Sequence, residues 1–132
     1  MTRPDAQLLR RAWDAFGRGD VDAAAQTLHP DVRWYAAGEP DGEGSCQNRE
    51  QAAAFLRRAL AEGLTARLLD IREAGDRLVA VMHTHAPPEW ERSPDPHGEV
   101  ITIRDGTIAE MVIYPDVQTA LAAAGLSASI DP

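Results

Sequence analysis

Residues 99–116 read EVITIRDGTIAEMVIYPD. Two runs rich in β-branched residues flank Asp105-Gly106. A two-residue hairpin turn needs positive φ at both central positions, and Asp-Gly adopts it at low cost. The stretch therefore predicts two antiparallel strands. Pro115 ends the second run, because proline has no N–H for a ladder. Asp116 then serves as N-cap for a short helix, VQTALAAAG, with Gly125 as its stop.

Working towards the N-terminus, TARLLDIRE (65–73) and RLVAVMHTHA (77–86) are two more β-like runs, joined at AGD (74–76) in a second hairpin signal. PPEWERSPDPHG (87–98) carries four prolines and reads as a long connection outside any sheet interior. The first half has helical period. Leu8, Leu9, Ala12, Trp13 and Phe16 make one apolar stripe within residues 5–17. Asp20 caps a second helix that turns Val21, Ala24, Ala25 and Leu28 inward and ends at Pro30. DVRWYAA (31–37) alternates as a short strand. NREQAAAFLRRALAEG (48–63) is a third helix, with Asn48 and Gln51 spaced as a capping box and Gly63 as its stop. The order is helix, helix, strand, helix, four strands, short helix. It implies an α+β domain of two layers, a mostly antiparallel sheet covered on one face by the three helices of the N-terminal half.

The 132 residues suit a single domain spanning 1–132. The formal charge of −8, from 21 acids against 13 bases, opposes binding to nucleic acid or to anionic membrane surfaces. All 13 bases are arginine. With no lysine there is no Schiff-base chemistry, no pyridoxal-phosphate anchor and no P-loop. Cys46 is the single cysteine, so neither an internal disulfide nor a CxxC metal motif is available. No signal-peptide core and no run of membrane-spanning length is present, which implies a cytoplasmic protein.

Three strings in this order are similar to a known family: AWDAFGRGDVDAAAQTLHPDVRWYAAG (12–38), NREQAAAFLRRAL (48–60) and IRDGTIAEMVIYPD (103–116). Over residues 5–126 the chain resembles the nuclear-transport-factor-2-like superfamily, in its SnoaL-like branch. The resemblance implies a cone: a strongly curved sheet wrapped around helices, with an apolar cavity at its open end and frequent pairing into homodimers. It implies no single reaction, because the family contains ketosteroid isomerases, polyketide cyclases, epoxide hydrolases and scytalone dehydratases. The position of the isomerases' carboxylate base falls here on Ala36, and that of their buried hydrogen-bond-donating acid on Glu99. The acid of the cyclases and epoxide hydrolases falls on Ile113. Scytalone dehydratase is similar in residue type only, through Tyr35, His83, His85 and Glu99.

His83 and His85 are the remaining candidates for proton chemistry. Residues two apart on a strand share a face and lie about 6.5–7 Å apart, so both histidines share the face of Val79 and Val81. Three readings stay open: a metal pair completed by His97, His29 or a carboxylate; general acid–base catalysis, with Glu99 or Tyr35 as acid or hydrogen-bond donor; or structural imidazoles at a strand end. Trp13, Phe16, Trp34 and Phe55 are candidate cavity-wall residues, and Trp90 a candidate lid or dimer contact. Arg33 and Arg72 could clamp an acidic ligand, and Cys46 would need a neighbouring base to act as a nucleophile. Two functions follow. One is a pocket for a small apolar organic molecule, with isomerase, dehydratase or cyclase chemistry that needs no metal or cofactor. The other is a non-catalytic ligand-binding or interaction module.

Overall fold

The computed structural model describes residues 4–42, 45–85 and 96–126. Helix α1 spans Pro4–Gly17 and α2 Val21–Gln26; strand β1 spans Leu28–Ala36; helix α3 spans Arg49–Ala61. Strands β2 (Thr65–Ala74), β3 (Arg77–His85), β4 (His97–Arg104) and β5 (Thr107–Tyr114) follow, and then α4 (Val117–Ala123). This is the element order read from the sequence.

Both hairpins form. Asp105 and Gly106 have φ of 54° and 77°, the left-handed pair that the tight turn demands. Three caps also form. Asp20 accepts from Ala23 N, Asn48 from Gln51 N, and Asp116 from Thr119 N. Gln51 completes the α3 cap by accepting from Gln47 N, one residue before the cap itself.

Two boundaries differ from expectation. The second helix stops at Gln26, and Leu28 to Pro30 belong to β1. The cause is tertiary: Ile108 N donates to Thr27 O, so β5 draws the chain out of the helix two residues early. Pro30 is tolerated because β1 is an edge strand with a register shift between Leu28 and Arg33. In the second half, β4 begins at His97, inside the stretch read as a connection.

The sheet has five strands in the order β1-β5-β4-β3-β2. The β1–β5 pair is parallel and the other three pairs are antiparallel. The sheet is therefore mixed and open, the topology of the cone fold. One face packs on α1, α2 and α3, with Leu78, Ala80, Met82, Ile101 and Met111 meeting Leu9, Phe16 and Leu56. Helix α4 packs on the opposite face, against Val79 and Val100. It sits close because β4 carries Gly98: a Cβ there would come within 2.5 Å of the Ala120 Cβ. The face toward α1–α3 is called inner below, and the face toward α4 outer.

Candidate functional site

Strand alternation assigns each candidate to a face. On β3, Leu78, Ala80 and Met82 point inward and Val79 outward. His83 and His85 therefore share the outer face with Val79 and Val81, and both are exposed. Tyr35 is also on the outer face, one residue past the inner Trp34. Its hydroxyl donates to Glu110 Oε2 at 2.9 Å, and the Arg33 guanidinium lies over its ring. Burial and the Glu110 carboxylate raise the Tyr35 pKa above its ordinary value.

Glu99 is different. It alternates with Ile101 on β4, points inward, and is only 3% exposed. His97, two residues earlier on the same face, is 7% exposed, and its Nε2 lies 3.4 Å from Glu99 Oε2. The other carboxylate oxygen, Oε1, is buried with no hydrogen-bond partner among the described residues. The sheet thus separates Glu99 from His83, His85 and Tyr35, and joins it to His97. From the sequence, His97 is a candidate only as a third metal ligand. The missed signal was the H-x-E spacing of residues 97–99, whose outer-face neighbours Gly98 and Val100 alternate with it.

The register sharpens this. Glu99 pairs with Ala80 on one side and Ile113 on the other, and Ile113 pairs in turn with Ala36. The three positions at which the family resemblance placed acids, Ala36, Ile113 and Glu99, therefore form one row across the inner face. Only its third member is an acid. Ala36, at the β1 end of the row, is exposed, whereas Glu99 is covered.

One layer deeper, Trp34, Met111 and Ile101 form the next row. Trp13, Phe16 and Trp34 line a cavity of about 20 Å³ with Leu56 and Met111, room for roughly one water-sized molecule. Phe55 does not line it; it packs edge-on against Trp34 with ring centres 5.3 Å apart. Trp90 lies outside the described residues. The Trp13 and Trp34 indole N–H groups have no acceptor among the described residues.

Among the described residues no three His, Cys, Asp or Glu side chains converge as a metal site. His29 Nδ1 accepts from Asp31 N. Arg72 Nε donates to Asp70 at 2.7 Å, which holds the Asp70 pKa down, and Arg33 Nη2 donates to Pro40 O at 3.1 Å. Cys46 is buried, bridges backbone-to-backbone with Trp34, and has its pKa pushed up by burial. A raised pKa leaves the thiol protonated and a poor nucleophile. No helix among the described residues is long and apolar enough to cross a membrane.

Solved structures share this architecture. A nuclear-transport-factor-2-like protein of unknown function from Cytophaga hutchinsonii superposes with a TM-score of 0.69 at 10% identity, over 86% of this chain and 91% of that one. A candidate polyketide cyclase from Sinorhizobium meliloti gives 0.66 at 23% identity, over 81% and 93%. An epoxide hydrolase of M. tuberculosis, described as LEH-like, gives 0.68 at 17% identity, over 92% and 91%. At these identities the likeness is one of fold. No curated protein matches the sequence. The SnoaL-like domain family matches residues 9–111, from α1 into β5, and that span holds His97, Glu99 and Ala36; the chain belongs to the SnoaL-like domain family.

Proposed function

We propose that the protein binds a small, largely apolar organic molecule against the inner-face row Ala36–Ile113–Glu99, and that Glu99 moves a proton on it. The observation that carries this reading is the buried Glu99 Oε1, which has no hydrogen-bond partner among the described residues, beside an Oε2 that faces His97. An unsatisfied carboxylate oxygen in an apolar site costs stability. A bound hydroxyl or an acidic C–H would satisfy it.

In the proposed mechanism His97 is a positioning residue. It faces Oε2 and so leaves Oε1 to the ligand. Glu99 takes a proton from one atom of the substrate and returns it to another, which is an isomerisation with no co-reactant. When a hydroxyl leaves with the returned proton, the same step is a dehydration. Neither needs a metal or organic cofactor. His83, His85 and Tyr35, on the other face, take no part in this scheme.

A second reading is a non-catalytic binding or interaction module. The small interior cavity favours it, since about 20 Å³ does not hold an organic substrate without movement of the walls. In both readings two copies pair as a homodimer, as the family resemblance implies, in the cytoplasm, where the lone buried thiol stays reduced.

The test begins with a thermal-shift screen of steroid-, terpenoid- and polyketide-like compounds. Ligands that stabilise the protein are then incubated with it in D2O. Proton chemistry predicts deuterium uptake into the ligand that falls about 10²- to 10⁴-fold in Glu99→Gln. Ligands that bind but take up no deuterium would leave the binding module as the function.

A further inference from the structure

The inner-face row of the proposed site is not covered evenly. Glu99 is 3% exposed, Ile113 is half-buried and Ala36 is exposed. All three face the helices: Ile113 and Trp34, two residues before Ala36, both belong to the core that packs on α1–α3. The helices therefore cover the row at its β4 end and leave it open at its β1 end. Strand β1 is an edge of the sheet. One row deeper that edge is closed, because Trp34 and Cys46 exchange both backbone hydrogen bonds, at 3.0 and 2.8 Å.

The way in from Ala36 is apolar. Ala36, Ile113 and Ala80 on the Glu99 row, and Trp34, Met111 and Ile101 on the next, carry no charge. Arg33, the arginine of β1, lies one residue before the inner Trp34 and so on the outer face. A carboxylate entering here would meet the Glu99 carboxyl with no guanidinium to hold it, and its loss of hydration would go uncompensated. An uncharged molecule meets no such barrier.

We infer that Ala36 and Ile113 are the specificity-determining residues of this site, and that its ligand is an uncharged molecule of about two fused rings that enters from the β1 edge with its polar end first. The inference rests on the reading of Glu99 as the ligand's polar contact. Ala36 and Glu99 are two strand spacings apart, about 9.5 Å. A single ring bonded to Glu99 through a hydroxyl covers Ile113. A second, fused ring extends over Ala36, whose methyl group is too small to block it.

The test is titration of the ¹⁵N-labelled protein with phenol, 2-naphthol and 2-naphthoate. The wild type is expected to bind 2-naphthol with shifts centred on the Ala36, Ile113 and Glu99 amides, and to bind 2-naphthoate about tenfold more weakly or not at all. Ala36→Trp places an indole at the open end of the row. It is expected to weaken 2-naphthol about tenfold or more and phenol by less than about twofold, because phenol stops at Ile113. Ala36 is exposed, so the substitution leaves the fold intact. Phenol and 2-naphthol weakened alike, neither of them weakened, 2-naphthoate bound as tightly as 2-naphthol, or shifts centred elsewhere would each overturn the inference. Proton transfer is read separately, by deuterium uptake. A size split at Ala36 without uptake leaves this inference standing, and uptake without the size split overturns it alone.

Discussion

Glu99 and His97 lie two residues apart on the inner face of β4, with Oε2 and Nε2 separated by 3.4 Å and Oε1 without a partner among the described residues. A buried polar pair of this kind is a poor source of stability, because desolvation offsets most of its attraction. Removing both groups should therefore cost little. The double variant His97→Leu/Glu99→Leu is expected to match or exceed the wild type in urea unfolding. His97→Ala alone is expected to lose on the order of 1–3 kcal/mol, since it strands the carboxyl. A double variant much less stable than either single variant would show the pair to be structural.

Gly98 lies between these two residues and faces the other way. The 2.5 Å approach that a Cβ would make to Ala120 leaves no room for a methyl group. Gly98→Ala is expected to cost about 1–3 kcal/mol through overpacking. Adding Ala120→Gly removes the opposing methyl and should recover part of that loss, apart from the helix penalty of glycine, about 1 kcal/mol. Chemical unfolding of both variants reads this; no recovery would mean that α4 does not pack on Gly98.

Tyr35 predicts the alkaline side of the stability profile. Its pKa is raised from 10.0, first by burial and then by its hydrogen bond to Glu110 and the charge of Glu110. The folded state therefore holds the proton longer than the unfolded chain. This contribution is complete below pH 10.0 and is lost as pH rises through the folded pKa. In Glu110→Gln the tyrosinate absorbance should titrate closer to pH 10.0. A titration unchanged by the substitution would contradict the pairing.

Cys46 should behave as an inert core residue. It is buried, and burial raises its pKa. A thiol reagent such as Ellman's is expected to label it only at the rate of unfolding, and fast labelling of the native protein would contradict its placement.

Local chemistry explains why the element order was legible. Asp105-Gly106, Asn48, Asp116 and Gly125 act through their nearest neighbours, so the sequence carries them. The end of α2 was not legible, because the hydrogen bond from Ile108 to Thr27 joins residues far apart in the chain. The site was half legible for the same reason. Glu99 could be singled out by family position, but the face it shares depends on where α1–α3 and α4 dock. Both faces of β3 begin apolar, so the sequence could not say that His83 and His85 turn toward α4's side while His97 turns inward. The row Ala36–Ile113–Glu99 appears only once β5 lies between β1 and β4.

In the proposed function the ligand meets the inner-face acid and not the outer-face histidines. The most direct measurement compares the thermal shift given by one stabilising compound across three proteins: wild type, Glu99→Gln and His83→Ala/His85→Ala. The shift is expected to be kept in the histidine variant and lost or sharply reduced in Glu99→Gln. A shift kept in Glu99→Gln and lost in His83→Ala/His85→Ala would contradict it.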